Sequence, residues 1–288
     1  MNAQLDCLPC LGRNAVDFAR KSTEDANKRR AIVSKSMHML ADSDMSMPPP
    51  FYITKIIEVT TRENDGVMGD PFLPEKIKST ELANKLINEL HRIPAFDPND
   101  FESRLRLSIA GNILDFGIYS NLDIEQALNS MQSAFTKKLD KNAVKKLKER
   151  MDSAKNIMFI LDNCGEAVFD RVFMEPYRDK ITLAVRGKPT LNDVTRGDLE
   201  ASGLLNFTKA IVDNGSDLPG SVLSCAGKEF LDAFNAADLV IGKGQGNFET
   251  LCDTPDKPLA LIFLTKCAVV CRLLGAQQNS LQLYLKNF

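Results

Sequence analysis

The sequence predicts an α/β protein: a helical N-terminal part packed on a doubly wound, mostly parallel sheet with helices on both faces. Three observations carry this reading. From Asn14 to about Ala154 apolar residues recur at helical spacing, with few strand candidates. After Lys155 the texture changes to strand, turn, helix, repeated, with apolar runs at 157–161, 181–185, 209–212, 238–241 and 259–264. The intervals between those runs are long enough for crossover helices, which parallel pairing requires. The chain therefore divides into a mainly helical part, 1–154, and an α/β part, 155–288, expected to bind metal and phosphate.

Within the helical part, Pro48-Pro49-Pro50 reads as the end of the first long helix, and Asn64-Asp65-Gly66 to Pro71 as a loop between helices. Leu82, Leu86 and Leu90, joined by Ala83 and Ile87, share one face of a core-forming helix that Ser79-Thr80 would open and Pro94 would close. The run Lys137 to Lys155 interleaves lysines with Leu139, Val144, Leu147 and Met151. Its acidic neighbours and helical spacing indicate a solvated helix face, an anionic-ligand patch being the alternative. Beyond the fifth apolar run, Ser280 to Lys286 adds an edge strand.

At 288 residues, with 44% hydrophobic and 26% charged, the chain can bury a substantial core without a metal or a disulfide. A formal net charge of -2 gives no overall attraction for nucleic acid or anionic lipid, so neither is an expected partner. No signal-peptide pattern is present, nor the run of roughly 18 apolar residues that a membrane helix needs. Seven cysteines, an odd number at scattered positions, fit reduced thiols and a cytoplasmic location. The only histidines, His38 and His91, lie in helical segments away from the strand ends. Any histidine-based zinc site or nucleophile triad would have to use one of them.

The candidate chemistry lies where strands end, because the carboxyl ends of parallel strands face one crevice. The first strand runs into Asp162-Asn163-Cys164-Gly165-Glu166, and the second is followed by Arg186 to Asp193. Asp162, Asn163 and Asp193 can converge there, and carboxylate and amide oxygens without histidine suit a hard divalent cation such as Mg²⁺ or Mn²⁺. The fourth strand enters Gly242-Lys243-Gly244-Gln245-Gly246-Asn247-Phe248-Glu249, whose glycines and following helix form a phosphate-type cradle. It lacks the Gly-Lys-Ser/Thr ending of a P-loop and the glycine spacing of a dinucleotide fingerprint. Lys266, after the fifth strand, could neutralise a phosphoryl group, a lysine that starts the next helix being the alternative. In the helical part Asn112 and Asp115 share a helix face and form either a crevice wall or a buried capping pair.

Together, Asp162-Asn163, Leu191-Asn192-Asp193-Val194-Thr195, the 242–249 turn, Lys266 and Gly111-Asn112 resemble the damage-control phosphatases, long catalogued as domain of unknown function eighty-nine. Cys7-Leu8-Pro9-Cys10 is similar to the start of the stand-alone prokaryotic branch. The resemblance implies a metal-dependent phosphatase acting on a small phosphorylated metabolite such as a sugar phosphate, a nucleotide or a phosphopantetheine-like compound. It implies Asp162, Asn163 and Asp193 as ligands of a divalent metal (Mn²⁺, Mg²⁺, Co²⁺ or Ni²⁺), with Lys266 and the turn at Gly244 and Gly246 meeting the phosphate. Asn112, Asn247 and Glu249 would orient the leaving alcohol, and Asp115 would shuttle a proton. An aspartyl-phosphate route through Asp162 is disfavoured, since the acid expected two positions on is Cys164. The alternatives are a phosphometabolite- or nucleotide-binding module without turnover and a helical interaction scaffold. Cys7 and Cys10 remain open among a structural role, a redox pair, and half of a zinc or iron-sulfur site completed by Cys267 and Cys271.

Overall fold

The structure is a computed structural model and describes residues 1–112 and 124–288. The apolar runs form its sheet: β1 (Ile157–Ile160), β2 (Ile181–Val185), β3 (Ala210–Asp213), β4 (Leu239–Lys243) and β5 (Leu259–Leu264) are parallel. β6 (Leu281–Lys286) closes the edge antiparallel to β5. The strand order β3-β2-β1-β4-β5-β6 reverses between β1 and β4, and at such a switch point the crossovers leave on opposite faces and a crevice opens. Ile160 pairs with Gly242, which brings the residues just beyond β1 and within the end of β4 to this crevice.

Alternation along the strands divides the sheet into two apolar faces. Ile157, Phe159, Leu183, Ile241 and Ile262 point to one core, and Met158, Ile160, Ala184, Val240 and Leu261 to the other. The first is covered by α4 (Leu73–Asn88), α5 (Phe101–Gly111), α6 (Ile124–Thr136), α7 (Lys141–Ser153) and α8 (Cys164–Met174). α9 (Lys228–Ala236), α10 (Gly244–Leu251) and α11 (Ala268–Leu274) cover the second. The helical and sheet parts thus share one core, which crosses the expected 154/155 boundary at the α7–β1 joint. α1 (Leu8–Ser22), α2 (Ala26–Ala41) and α3 (Pro49–Glu63) form a third cluster around Phe18 and Ile56 that reaches the sheet part through Val269.

Two expected helix boundaries move. α2 stops at Ala41, and Pro49 and Pro50 open α3, in the first turn where a missing N–H costs nothing. α4 begins at Leu73 with Pro74 in its first turn. Ser79 and Thr80 lie inside it, their hydroxyls donating back to the Lys76 carbonyl at 2.8 and 2.9 Å. The lysine run proves to be a solvated face, with Val144, Leu147 and Met151 buried on the inner side of α7. No described helix is long and apolar enough to cross a membrane.

Candidate metal and phosphate site

A cavity of about 260 Å³ opens at the switch point. Of the residues singled out from sequence, Asp162, Asn163, Asp193, Gly246, Glu249 and Lys266 all line it. The opposite wall comes from the N-terminal helices, through Cys10, Leu11, Pro50 and Ile53 among others.

The two carboxylate loops are stitched together by backbone. The Asp162 carbonyl accepts from Val194 N–H at 2.9 Å and the Asn192 carbonyl from Cys164 N–H at 3.0 Å, forming an antiparallel bridge between Asn163 and Asp193. Leu191 turns this loop with φ of 45°, a left-handed conformation that costs a leucine about 1 kcal/mol. Gly244 lies against Asp162 so closely that a Cβ there would stand 1.9 Å from Oδ2, and its φ is 78°. The 242–249 segment is therefore a strand end followed at once by a helix. Gly244 makes room for Asp162, Gly246 faces the cavity, and Gly242 packs on Leu261.

Burial drives the Asp162 carboxyl well above its ordinary pKa, reinforced by the negative charges of Asp193 and Glu166 and opposed by Lys266 and Arg186. Arg186 Nε pairs with Asp193 Oδ2 at 2.6 Å, but Arg186 and Lys266 together do not offset the burial of Asp162 and the charges beside it, which leaves room for a further cation. Asn163 Nδ2 donates to Asp162 Oδ2 at 3.0 Å, so Asn163 would bind an ion through Oδ1, and with the two carboxylates that all-oxygen set would fit a hard divalent ion completed by water. Among the described residues no group of three or more His, Cys, Asp and Glu is gathered to hold a metal. Two carboxylates and one amide fall short of an all-protein cage and would suit an ion that keeps several of its waters.

Lys266 lies within electrostatic reach of both Asp162 and Glu249. Its backbone N–H donates to Gln245 Oε1 at 2.9 Å, while Gln245 Nε2 donates to Glu249 Oε1 at 2.8 Å. Gln245 therefore ties the end of β5 to α10. Burial pushes the Glu249 carboxyl up to about 7, against the Gln245 hydrogen bond and the Lys266 charge.

Other candidates are placed elsewhere. Asn247 is buried and braces the frame: its amide donates to the Lys243 carbonyl at 2.7 Å and the Leu161 carbonyl at 3.4 Å, and its oxygen accepts from Ser221 at 2.9 Å. Asn112, buried at the end of α5, donates to Glu166 Oε2 at 2.9 Å behind the site. Asp115 lies outside the described residues. His38 and His91 are exposed and contact the backbone carbonyls of Ser34 and Asn88.

Sequence reasoning did not single out Arg186, Gln245 or the thiols as part of this site. Arg186 follows β2 directly, so the rule that selected Asp193 applied to it equally. Gln245 and Glu249 are one helical turn apart, which was the available signal. Cys7, Cys10 and Cys267 all line the cavity, and all seven cysteines are free. Burial, then Glu249 and Cys267, raise the Cys7 and Cys10 thiols, so they form a neutral wall.

A family model described as the damage-control phosphatase ARMT1-like domain matches residues 3–281. The chain belongs to the damage-control phosphatase family. It is 32% identical over 286 residues to a damage-control phosphatase of Pyrococcus horikoshii, covering 98% of this chain and 97% of that one. A damage-control phosphatase of Archaeoglobus fulgidus is 27% identical over 273 residues, 93% and 94% of the two chains. The crystal structure of a DUF89 family protein from Pyrococcus horikoshii superposes with a TM-score of 0.88 at 30% identity, covering 100% of both chains. The family's mixed α/β architecture is thus the one seen here.

Proposed function

We propose that this member of the family is a metal-dependent phosphatase that hydrolyses the monoester of a small phosphorylated metabolite. The observation that carries the reading is the convergence of Asp162, Asn163 and Asp193 with Lys266 and the first turn of α10 on one cavity at the switch point. Asp162, Asn163 and Asp193 would hold a divalent ion (Mg²⁺, Mn²⁺, Co²⁺ or Ni²⁺), which when bound supplies Lewis-acid polarisation of the phosphoryl group. Lys266 neutralises phosphoryl oxygens, and the N–H groups opening α10 face the same anion. Glu249 donates a proton to the leaving alcohol from Oε2, Oε1 being engaged by Gln245. The apolar and thiol walls exclude bulk water and leave room for a small leaving group. Seven free thiols suit a reducing compartment, and we place the protein in the cytoplasm.

The test is phosphate release from a panel of sugar phosphates, nucleotides, phosphopantetheine and an aryl phosphate by metal-stripped protein, with each ion added back. The proposal predicts release only with metal. Tight phosphate-ester binding with no release under any ion would contradict it and indicate a binding module.

A further inference from the structure

Arg186 is the largest fully buried side chain among the described residues, at 1% exposure. Each nitrogen of its fork meets a different part of the site. Nε donates to Asp193 Oδ2 at 2.6 Å, and Nη1 donates to the Gly220 carbonyl at 3.0 Å. Nη2 stands 3.8 Å from Asp162 Oδ1 and has no hydrogen-bond partner. A guanidinium held only for structure would have all its donors satisfied, because leaving a buried donor without a hydrogen bond is costly. Here the arm without a hydrogen bond is the one nearest Asp162.

The middle arm reaches further. Gly220 has φ of 116°, and a Cβ on it would meet the Gly246 carbonyl at 2.7 Å, so the turn carrying Gly220 packs directly on the first turn of α10. Ser221, the next residue, donates its N–H to Thr250 Oγ1 at 2.9 Å on the same helix. One planar side chain thus joins the Asp193 carboxylate to the turn that seats the phosphate-facing helix. Lysine carries the same charge but lacks a fork that spans two acceptors in fixed geometry.

We infer that Arg186 is a positioning residue that sets Asp193 against Asp162 and against the start of α10. It is buried behind the cavity and is not among the residues lining it. The inference rests on the metal reading proposed above.

The experiment measures Mn²⁺ affinity by calorimetry, without substrate, for metal-stripped wild-type protein, Arg186→Lys and Arg186→Gln, with circular dichroism and melting curves to establish folding. Met151→Ala, a core truncation remote from the cavity, controls for destabilisation alone. The positioning role predicts Mn²⁺ binding about 10-fold weaker in Arg186→Lys and about 100-fold weaker in Arg186→Gln, the range typical of residues that orient metal ligands, with Met151→Ala unchanged. If Arg186→Gln does not fold, Arg186→Lys decides. Folded variants that bind Mn²⁺ as wild type does would overturn the inference and leave the metal reading standing. Wild-type protein that binds no Mn²⁺ would overturn both.

Discussion

Gly244 shows how one residue fixes the site. Its backbone lies where a Cβ would stand 1.9 Å from Asp162 Oδ2, and its φ of 78° is one that other residues adopt at a cost of about 1–2 kcal/mol. Gly244→Ala therefore has to move Asp162 or the start of α10. We expect a lower denaturation midpoint and, since roughly 1 Å of misplacement can cost about 100-fold, phosphate release reduced by about that factor. Glu249 gives the pH dependence. Its folded pKa of about 7 lies above the ordinary 4.5, so between those values the folded protein keeps a proton that the unfolded chain has released. Stability is then unaffected below the lower value and falls as pH rises through the window, by on the order of 3 kcal/mol. Denaturant melts at pH 5 and pH 8 should show wild type losing this relative to Glu249→Gln; parallel behaviour of the two proteins would refute the assignment. That Asp162, Asp193 and Lys266 reach one cavity was legible in the sequence because strand ends face the crevice, and Glu249 follows from the helix that begins there. The destinations of Asn247 and Asn112 were not, because an amide one turn into a helix can serve the cavity or the frame, and only the packing around it decides.

At the scale of elements, the end of β4 is locked to α5 and α8 by a buried lysine. Lys243 Nζ lies 2.7 Å from Glu166 Oε1 and 2.8 Å from Asp170 Oδ1, and donates to the Ser108 carbonyl at 2.9 Å. Burial opposes the lysine's charge, but Asp170 and Glu166 outweigh it and hold the ammonium charged. Asn112 closes the same group through Glu166, so the helical part is pinned behind the strands that carry the site. Lys243→Met would leave two buried carboxylates without their cation. We expect a loss of about 3–5 kcal/mol in urea unfolding, and a loss under about 1 kcal/mol would mean the network is dispensable. The strands were readable from their apolar runs. The start of α4 was not, since Ser79 and Thr80 resemble a cap until their hydroxyls are seen turning back to Lys76.

For the whole molecule, the cavity needs both parts of the chain. The sheet supplies the oxygens and Lys266, while α1 and α3 supply the facing wall, and a core shared by α4–α8 and one sheet face holds the parts together. Periodicity separates the helical part from the sheet, but the shared core is a matter of which faces meet, and no local pattern encodes that. Nor does spacing bring Cys7 and Cys10 to the cavity; docking of α1 against the crevice does. The central claim is that a metal held by Asp162 and Asp193 is required for turnover. The most direct measurement is aryl phosphate hydrolysis titrated with Mn²⁺ for metal-stripped wild type, Asp162→Ala and Asp193→Ala, each first shown to be folded. The account predicts saturable, Mn²⁺-dependent release by wild type and none above background by either variant. Metal-independent release by wild type, or undiminished release by the folded variants, would contradict it.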